Sequence, residues 1–223
     1  MSIISFKAYL EEGVNDPAIF KVVFMAGGPG SGKSFIVGQT ALQPIGFKLI
    51  NTDRAFEKYM KDAKLATTPE NIYSPEGQAI RGKAMDITAK IEKLALKGRL
   101  GLVIDGTGRD YAKIAEYRRE LAQLGYDSMM IFVNTDLETA LKRNQDRQRS
   151  LPDAEVTKMW SAVQNNLGKF QKLFKGDMVI VDNTEGHDYK QSVLDAYRQV
   201  VKFAKRPIRN PKAKKWIDAN SVK

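Results

Sequence analysis

Residues 22–34 read Val-Val-Phe-Met-Ala-Gly-Gly-Pro-Gly-Ser-Gly-Lys-Ser, and this stretch decides the fold. Its first five residues form a continuous apolar run, which is typical of a strand buried on both faces of a parallel sheet. The next eight residues, 27–34, fit the pattern G-x-x-x-x-G-K-[ST]. The apolar residues 35–37 follow and are the expected start of a helix. The sequence therefore predicts a phosphate-binding loop, or P-loop, between a buried strand and a helix.

The chemistry of this loop is that of triphosphate binding. Glycines let successive backbone N–H groups turn towards phosphate oxygens, because a Cβ would obstruct the close approach. The N-terminus of the helix adds a dipole that favours negative charge. Lys33 is expected to reach the β- and γ-phosphates of ATP, and the Ser34 hydroxyl is the expected ligand of Mg²⁺. The ATP-binding residues predicted in the loop are Gly28, Gly30, Ser31, Gly32, Lys33 and Ser34.

Four further apolar runs of strand length follow, at residues 47–50, 102–104, 129–133 and 178–181. The segments between them place apolar residues at helical spacing. Strands that alternate with helices predict an α/β protein with the P-loop NTPase fold, a five-stranded parallel sheet covered by helices on both faces. Residues 61–76 are polar and contain two prolines, so we expect a loop there.

The chain divides into three parts by composition. We expect an N-terminal extension at residues 1–20, a P-loop domain at 21–204 with a lid around 143–152, and a basic C-terminal tail at 205–223. The tail is predicted to be mobile or wrapped loosely on the domain. Its cations could contact the backbone of a nucleic acid: Lys205, Arg206, Arg209, Lys212, Lys214 and Lys215.

Composition excludes several classes of chemistry. The 223 residues include 36 Lys and Arg against 26 Asp and Glu, and the net charge of +10 attracts phosphate-bearing partners. The chain has no cysteine and one histidine, His187, which argues against thiol catalysis, cysteine–zinc sites and Ser-His-Asp hydrolases. No apolar run approaches the ~20 residues of a membrane span. Residues 1–13 lack a signal-peptide pattern, so we expect a cytoplasmic protein without a membrane partner.

Charged residues follow two of the predicted strands. Because ligands bind beyond the carboxyl ends of strands in open α/β sheets, Asp53 after the second strand should face the cleft. Its carboxylate could accept the proton of an acceptor hydroxyl, and Arg54 could hold an anionic acceptor. The alternative is that Asp53 only caps the following helix.

The third strand ends in Asp105-Gly106-Thr107-Gly108-Arg109. Asp105 could hold Mg²⁺ through water or help to position the acceptor, and we place Thr107 and Arg109 beside the acceptor. A capping role for Asp105 is the alternative, although Asp110 is better placed for that. The D-x-x-G pattern also occurs in GTPases, but the guanine-reading N-K-x-D motif is absent, which argues against a GTPase.

Arginines are concentrated after the fourth strand. Arg143 and Arg147 are four residues apart and share a helical face, and Arg149 follows before Pro152. Converging guanidinium groups suit a phosphoryl transition state, in which charge develops on the transferring oxygens. The alternative is a solvated basic helix face.

Together, the P-loop, the strand-two Asp, the D-x-T after strand three and the R-N-x-x-R-x-R-x-L-P lid resemble the small P-loop kinases that include polynucleotide 5′-kinases and zeta-toxin-like kinases. The resemblance spans residues 20–204, and the opening residues 6–11 resemble tailed-phage members. It implies strand order 2-3-1-4-5, Asp53 as general base, Arg143, Arg147 and Arg149 as phosphate clamps, and Asn183 near the adenine.

The resemblance implies transfer of the γ-phosphoryl group of ATP, with Mg²⁺, to a hydroxyl acceptor. A polynucleotide or nucleotide 5′-hydroxyl is the leading acceptor, supported by the net charge and the basic tail. A small molecule or nucleotide sugar is the alternative, but residues 55–75 lack the acceptor-binding arginine and tyrosine pattern of zeta toxins. A regulatory ATPase without a phosphoryl acceptor is the alternative from another class.

Overall fold

The computed structural model describes residues 14–39, 42–146 and 150–221. Five strands run in chain order as β1 (Lys21–Ala26), β2 (Lys48–Ile50), β3 (Leu102–Asp105), β4 (Asp127–Asn134) and β5 (Met178–Asp182). The helices are α1 (Lys33–Gln39), α2 (Thr52–Asp62), α3 (Pro69–Tyr73), α4 (Pro75–Lys97), α5 (Tyr111–Leu124), α6 (Leu137–Gln145), α7 (Asp153–Phe174), α8 (Tyr189–Lys205) and α9 (Pro211–Asn220). All five predicted strands are present, each within two residues of its expected bounds.

The strands form one parallel sheet with the order β2-β3-β1-β4-β5. The central strand β1 pairs with β3 through Val22↔Leu102 and with β4 through Val22↔Ser128. The order reverses direction beside β1, and this is the point where open α/β sheets bind ligands. The predicted fold class and strand order are both confirmed.

Alternating side chains of the central strand face two separate apolar cores. Val23 and Met25 pack with α1 and α8 on one face, whereas Val22 and Phe24 pack with α4, α5, α7 and α9 on the other. All six residues of β1 are buried. Because both faces of β1 are covered, its sequence is a continuous apolar run without polar alternation.

A third, smaller core joins α2, α3 and α4 beyond the end of β2. Phe56 and Met60 of α2 pack there with Ile72, Ile80 and Ala84. The loop predicted for residues 61–76 is therefore wrong in part, since α3 and the start of α4 lie in this range. Pro69 and Pro75 each begin a helix, where the missing N–H is not needed, and Thr68 and Ser74 are the caps.

The C-terminal segment is a docked helix, which differs from the loosely attached tail that we expected. Ala213 of α9 is buried, and the indole of Trp216 packs on the ring of Phe20, with centroids 5.5 Å apart. Asn210 caps α9 and donates a hydrogen bond to Ala122 O at 3.2 Å. Ala213, Trp216 and Ile217 form a narrow apolar face between lysines.

The last residues of the expected N-terminal extension are part of the core. Ala18 and Phe20, which precede β1, are fully buried. Residues 1–13 lie outside the described residues. Within the described part of the chain, no helix has the length and apolar character needed to span a membrane.

Candidate active site

A cavity of about 1010 Å³ opens at the carboxyl ends of the strands. The P-loop forms one wall, and the start of α2 forms the opposite wall. Its lining includes the six predicted ATP-binding residues of the loop and also Asp53, Arg54, Asp105 and Thr107. Residues from three separate parts of the sequence therefore meet in one cavity, because parallel strands end at the same edge of the sheet.

The P-loop backbone adopts conformations that require glycine at two positions. Gly30 and Gly32 have φ values of 73° and 78°, in the left-handed region. A Cβ on Gly30 would collide with the carbonyl oxygen of Ala140, and one on Gly32 would collide with the amide of Asn183. The loop turns through a hydrogen bond from Ser31 N to Gly28 O at 3.2 Å and leads directly into α1.

Lys33 is held at the floor of the cavity by a chain of side chains. Its ammonium group binds Oδ1 of Asp105, and the amide of Asn51 donates to Oδ2 of the same carboxylate. The Asp105 side chain is 5% exposed and that of Lys33 is 16% exposed. Asp105 thus neutralises the cation that is expected to bind the phosphates.

Asn51 is the residue that caps α2, so Asp53 does not have the capping role that was its alternative. The Asn51 side chain accepts a hydrogen bond from Arg54 N at 3.1 Å. Asp53 lies in the first turn of α2, is exposed and lines the cavity. Its carboxylate forms no ion pair with a described residue and is available to an acceptor.

Asp110, and not Asp105, caps the helix after β3. The Asp110 side chain accepts from Lys113 N at 3.0 Å, as expected. Thr107 lines the cavity, and its carbonyl accepts a hydrogen bond from Gly27 N at 3.0 Å. Arg109 is exposed and is absent from the lining of the cavity, so the structure does not bring it to the other candidate residues.

Arg143 and Asn183 contact the backbone of the P-loop. Arg143 donates to Asn183 O at 2.8 Å and, more weakly, to Gly30 O at 3.5 Å. Asn183 is 6% exposed and donates to Ser31 O at 2.7 Å. Neither lines the cavity, so in this conformation both contact the backbone of the loop.

The lid is described only at its two ends, since Arg147 and Arg149 lie outside the described residues. Asn144 is 1% exposed, and both ends of its amide bind Leu151 across this segment. Asn144 Nδ2 donates to Leu151 O at 2.7 Å, and Leu151 N donates to Asn144 Oδ1 at 3.0 Å. Both residues line the cavity. Asn144 therefore joins the two described ends of the predicted lid.

The helix α6 carries Arg143 and Asn144 near its carboxyl end, and its amino end is anchored to the segment after β5. Asp136 caps this helix by accepting from Thr139 N at 2.7 Å, and its own N–H donates to Thr184 Oγ1 at 3.2 Å. Hydrogen bonds from the side chain and backbone of Thr139 lower the pKa of the Asp136 carboxyl. This anchoring fixes α6 against the residues that support the P-loop.

Sequence reasoning missed three lining or positioning residues: Asn51, Glu57 and Asn144. Glu57 lies one helical turn after Asp53, so spacing of four residues could have placed both carboxylates on the cavity side of α2. The double role of Asn51 has no signal in the sequence, because its partner Asp105 is 54 residues away.

The donors present fit Mg²⁺ bound mainly through substrate and water. Ser34 is exposed at the start of α1 and lines the cavity, where it offers a hard oxygen ligand. Both oxygens of Asp105 are engaged, so its part would be through water. The described residues contain no cluster of three or more acidic, histidine or cysteine side chains that could hold a metal alone.

Most of the chain matches a known family. The family described as AAA domain matches residues 22–167, which include the P-loop, β2, β3, β4 and the lid. Adenylate kinase isoenzyme 5 of Bos taurus is 25% identical over 136 residues, which are 60% of this chain and 24% of that protein. The chain thus spans about a quarter of the length of this curated relative.

Two solved structures share the fold at low identity. The gluconokinase of Sinorhizobium meliloti 1021 has a TM-score of 0.51 at 15% identity, over 83% of this chain and 94% of that chain. The complex AvrRxo1-ORF1:-ORF2 with ATP has a TM-score of 0.56 at 16% identity, over 79% of this chain and 63% of that chain. At such identities the likeness shows the α/β P-loop NTPase fold alone.

Proposed function

The chain belongs to the AAA domain family, whose match covers residues 22–167, and on this premise we propose that it is an ATP-dependent P-loop kinase. The observation that carries the proposal is the cavity, which Asp53 lines together with Lys33 and Ser34. A P-loop alone binds a triphosphate, whereas an unpaired carboxylate on the opposite wall offers a base for a second substrate. The curated relative is named a kinase, and so is the gluconokinase.

In the proposed reaction the P-loop N–H groups and Lys33 hold the β- and γ-phosphates of ATP. Lys33 exchanges Asp105 for phosphate oxygens when ATP binds, so one fixed cation meets the developing charge. Ser34 would hold Mg²⁺, which would neutralise further phosphate charge when bound. Asp53 orients the acceptor hydroxyl and accepts its proton as the oxygen bonds to the γ-phosphorus, while the bond from this phosphorus to the β–γ bridging oxygen breaks and ADP leaves.

The lid completes the site in this proposal. Arg147 and Arg149 would clamp the transferring phosphoryl group, while Arg143 and Asn183 keep the P-loop in shape through its backbone. Asn144 of α6 binds Leu151, which lies just before α7. Arg54, on the acceptor wall, is the cation available to a phosphate of the acceptor.

We propose a polynucleotide or nucleotide 5′-hydroxyl as the acceptor. The net charge of +10 and the exposed Arg54 beside Asp53 support an acceptor that carries phosphate. A zeta-toxin-like small-molecule or nucleotide-sugar acceptor is the second candidate. It is favoured by Glu57, whose carboxylate lines the same cavity and suits sugar hydroxyls.

An acceptor screen with γ-labelled ATP tests the proposal. The panel contains 5′-hydroxyl oligonucleotides, nucleosides, nucleotide sugars and simple sugars, each with the parent protein and the Lys33→Ala variant. Label transfer by the parent and none by the variant is expected. Thermal shift with Mg-ATP should stabilise only the parent, because a ligand of the native state raises stability by mass action.

Two results would contradict the kinase. Equal thermal shifts of parent and Lys33→Ala would remove the P-loop assignment. ATP hydrolysis without transfer to any acceptor in the panel would favour a regulatory ATPase.

A further inference from the structure

The cations of the C-terminal helix lie at the wrong edge of the sheet for an acceptor in the cavity. Trp216 of α9 packs on Phe20, which directly precedes β1, whereas the P-loop directly follows β1. The six residues of β1 separate these ends by roughly 16–20 Å at 3.3 Å per residue. Cations that meet a nucleic acid near Asp53 must therefore be sought elsewhere.

A second concavity of about 330 Å³ lies beside the main cavity, on the carboxyl end of α2. We name it the lysine pocket and define it by its lining: Glu57, Lys61, Lys64, Leu65, Ala66 and Thr67. Glu57 lines both cavities, so the two are adjacent at this residue of α2. The pocket thus begins where the wall that carries Asp53 ends.

The end of α2 forms this pocket. The helix ends at Asp62, and Lys64 then adopts a left-handed conformation with φ 58°. Leu65 N donates back to Met60 O at 2.9 Å, which turns the chain across the helix end. This turn places the two lysines beside each other on the pocket wall.

Both lysines of the pocket are free to bind an anion. Asp62, which is adjacent to Lys61 in the sequence, pairs with Lys58 at 2.7 Å instead. Lys61 and Lys64 are exposed, and neither forms an ion pair with a described residue. Two unpaired ammonium groups in one pocket attract a phosphate more strongly than an ion-paired surface lysine does.

We propose that the lysine pocket binds backbone phosphate of a single-stranded nucleic acid whose 5′-hydroxyl lies at Asp53. The inference rests on the kinase function proposed above and assigns the acceptor side of the same site. Eight residues of helix place Lys61 about 12 Å along α2 from Asp53. A stacked strand advances about 3.4 Å per nucleotide, so only acceptors of roughly four nucleotides or more reach the pocket.

Glu57 sets how the strand crosses between the two cavities. Its carboxylate repels phosphate but accepts a hydrogen bond from the 2′-hydroxyl of a ribose. The strand therefore passes Glu57 with a sugar facing it, and its phosphates lie towards Arg54 on one side and Lys61 with Lys64 on the other. Leu65 offers an apolar contact to a base at the far end.

The test compares acceptors of increasing length in the full chain. Transfer of γ-labelled phosphate is measured with a nucleoside, a dinucleotide, a tetranucleotide and an octanucleotide, each with a 5′-hydroxyl. The variant is Lys61→Gln with Lys64→Gln, which keeps side-chain length at the left-handed position 64. The matched control is Lys58→Gln, an exposed lysine of the same helix that is paired with Asp62.

In the parent, kcat/KM should rise between dinucleotide and tetranucleotide. The double variant should lose about tenfold on the tetranucleotide, as expected for two exposed charge pairs, and nothing on the nucleoside. Its salt slope for oligonucleotide binding should be smaller by about 1.4, since each neutralised phosphate of a single strand contributes about 0.7. Lys58→Gln should match the parent.

Equal use of the tetranucleotide by parent and double variant would overturn the lysine pocket. Transfer to sugars but to no oligonucleotide would also overturn it, while leaving the kinase function intact. Loss of the kinase itself would be seen separately, as absence of transfer to every acceptor and of stabilisation by Mg-ATP.

Discussion

At the scale of single residues, the two walls of the cavity depend on different kinds of contact. Lys33 and Asp105 hold each other on the nucleotide wall, and Asp105 is also bound by Asn51. Asp53 on the acceptor wall has no such partner among the described residues. A carboxylate in an ion pair positions its partner, whereas an unpaired carboxylate near a substrate can accept a proton. This difference assigns separate roles to the two aspartates and makes them separable by substitution.

Asp53→Asn should abolish phosphoryl transfer and leave ATP affinity nearly unchanged. The amide keeps the size of the side chain but cannot accept the acceptor proton, and loss of such a base typically lowers the rate by ~10²–10⁴. Steady-state transfer and Mg-ATP thermal shift measure the two effects. Glu57→Gln is the matched control, one turn later on the same wall, and should retain most of kcat. Full activity of Asp53→Asn would show that the residue is not the base.

Substitutions of Asn51 should separate its capping contact from its contact with Asp105. Serine caps helices well but is too short to reach Asp105, whereas alanine removes both contacts. Asn51→Ala should therefore lower the free energy of unfolding by about 1 kcal/mol, and Asn51→Ser should stay near the parent. Both should lower kcat/KM about tenfold, because a hydrogen bond to the Asp105 charge is lost. Parent-like kinetics for Asn51→Ser would show that the Asp105 contact does not position Lys33.

At this scale, residue positions could be predicted from the sequence where a single motif contains all the residues of one part of the site. The P-loop residues 28–34 are local, so their positions could be predicted and all line the cavity. Asn51 and Asp105 meet only because β2 and β3 are neighbours in the sheet. That contact depends on strand order, and the residues themselves do not encode it. Arg109 was expected beside the acceptor because it follows β3, but it does not line the cavity.

At the scale of elements, α6 links the lid to the support of the P-loop. Its amino end is fixed by Asp136 and by the segment after β5, and Lys142 pairs with Glu185 at 2.6 Å. Its carboxyl end carries Arg143 and Asn144, which bind the P-loop backbone and the lid, respectively. Any loosening of α6 should therefore disturb both the P-loop and the lid.

The Asp136 cap predicts a stability that depends on pH. The pKa of this carboxyl is lowered in the folded protein by its hydrogen bonds to Thr139. The stabilisation is therefore fully present above the unfolded carboxyl pKa of about 3.9 and is lost as pH falls through the lower folded value. Asp136→Ala should lower the free energy of unfolding by about 1 kcal/mol at pH 7 and by progressively less in acid.

Chemical denaturation at pH 7 and at steps below pH 5 measures this effect. Asp136→Asn is the control, because asparagine caps the helix without titrating. It should stay near the parent at pH 7 and lack this part of the acid dependence. The same loss from Asp136→Ala at every pH would mean that the cap does not titrate with folding.

Strands could be predicted from continuous apolar runs, and long helices from apolar residues at helical spacing. The helix α7 has five buried side chains on one face, and it lies between β4 and β5, where helical spacing was expected. Residues 61–76 were not expected to be helical, because Pro69 and Pro75 were interpreted as breaks when each begins a helix. A proline is ambiguous without its capping neighbour, and Thr68 and Ser74 supply that information.

At the scale of the whole molecule, the two edges of the sheet have different roles. The carboxyl edge bears the P-loop, the cavity and the lysine pocket. The amino edge bears α9, whose apolar face covers Phe20, and the pair of Arg206 with Asp177 at 2.9 Å. The buried Lys21 pairs with Asp127 at 2.6 Å on this edge as well. Positive charge at the amino edge therefore accompanies packing contacts and lies away from the chemistry.

This separation predicts that the charge and the packing of α9 have separate consequences, neither of them catalytic. Replacing Lys212, Lys214 and Lys215 by Gln should leave kcat/KM for oligonucleotides and its salt dependence unchanged, because these side chains cannot reach an acceptor at Asp53. Trp216→Ala should lower the free energy of unfolding by about 2 kcal/mol, less than the 3–5 kcal/mol of a fully buried aromatic, while sparing kcat. Oligonucleotide kinetics across a salt series and denaturant unfolding measure both effects. A flattened salt slope in the triple variant would mean that the acceptor strand extends around the sheet to the amino edge, and the lysine pocket would then be only the first part of its path.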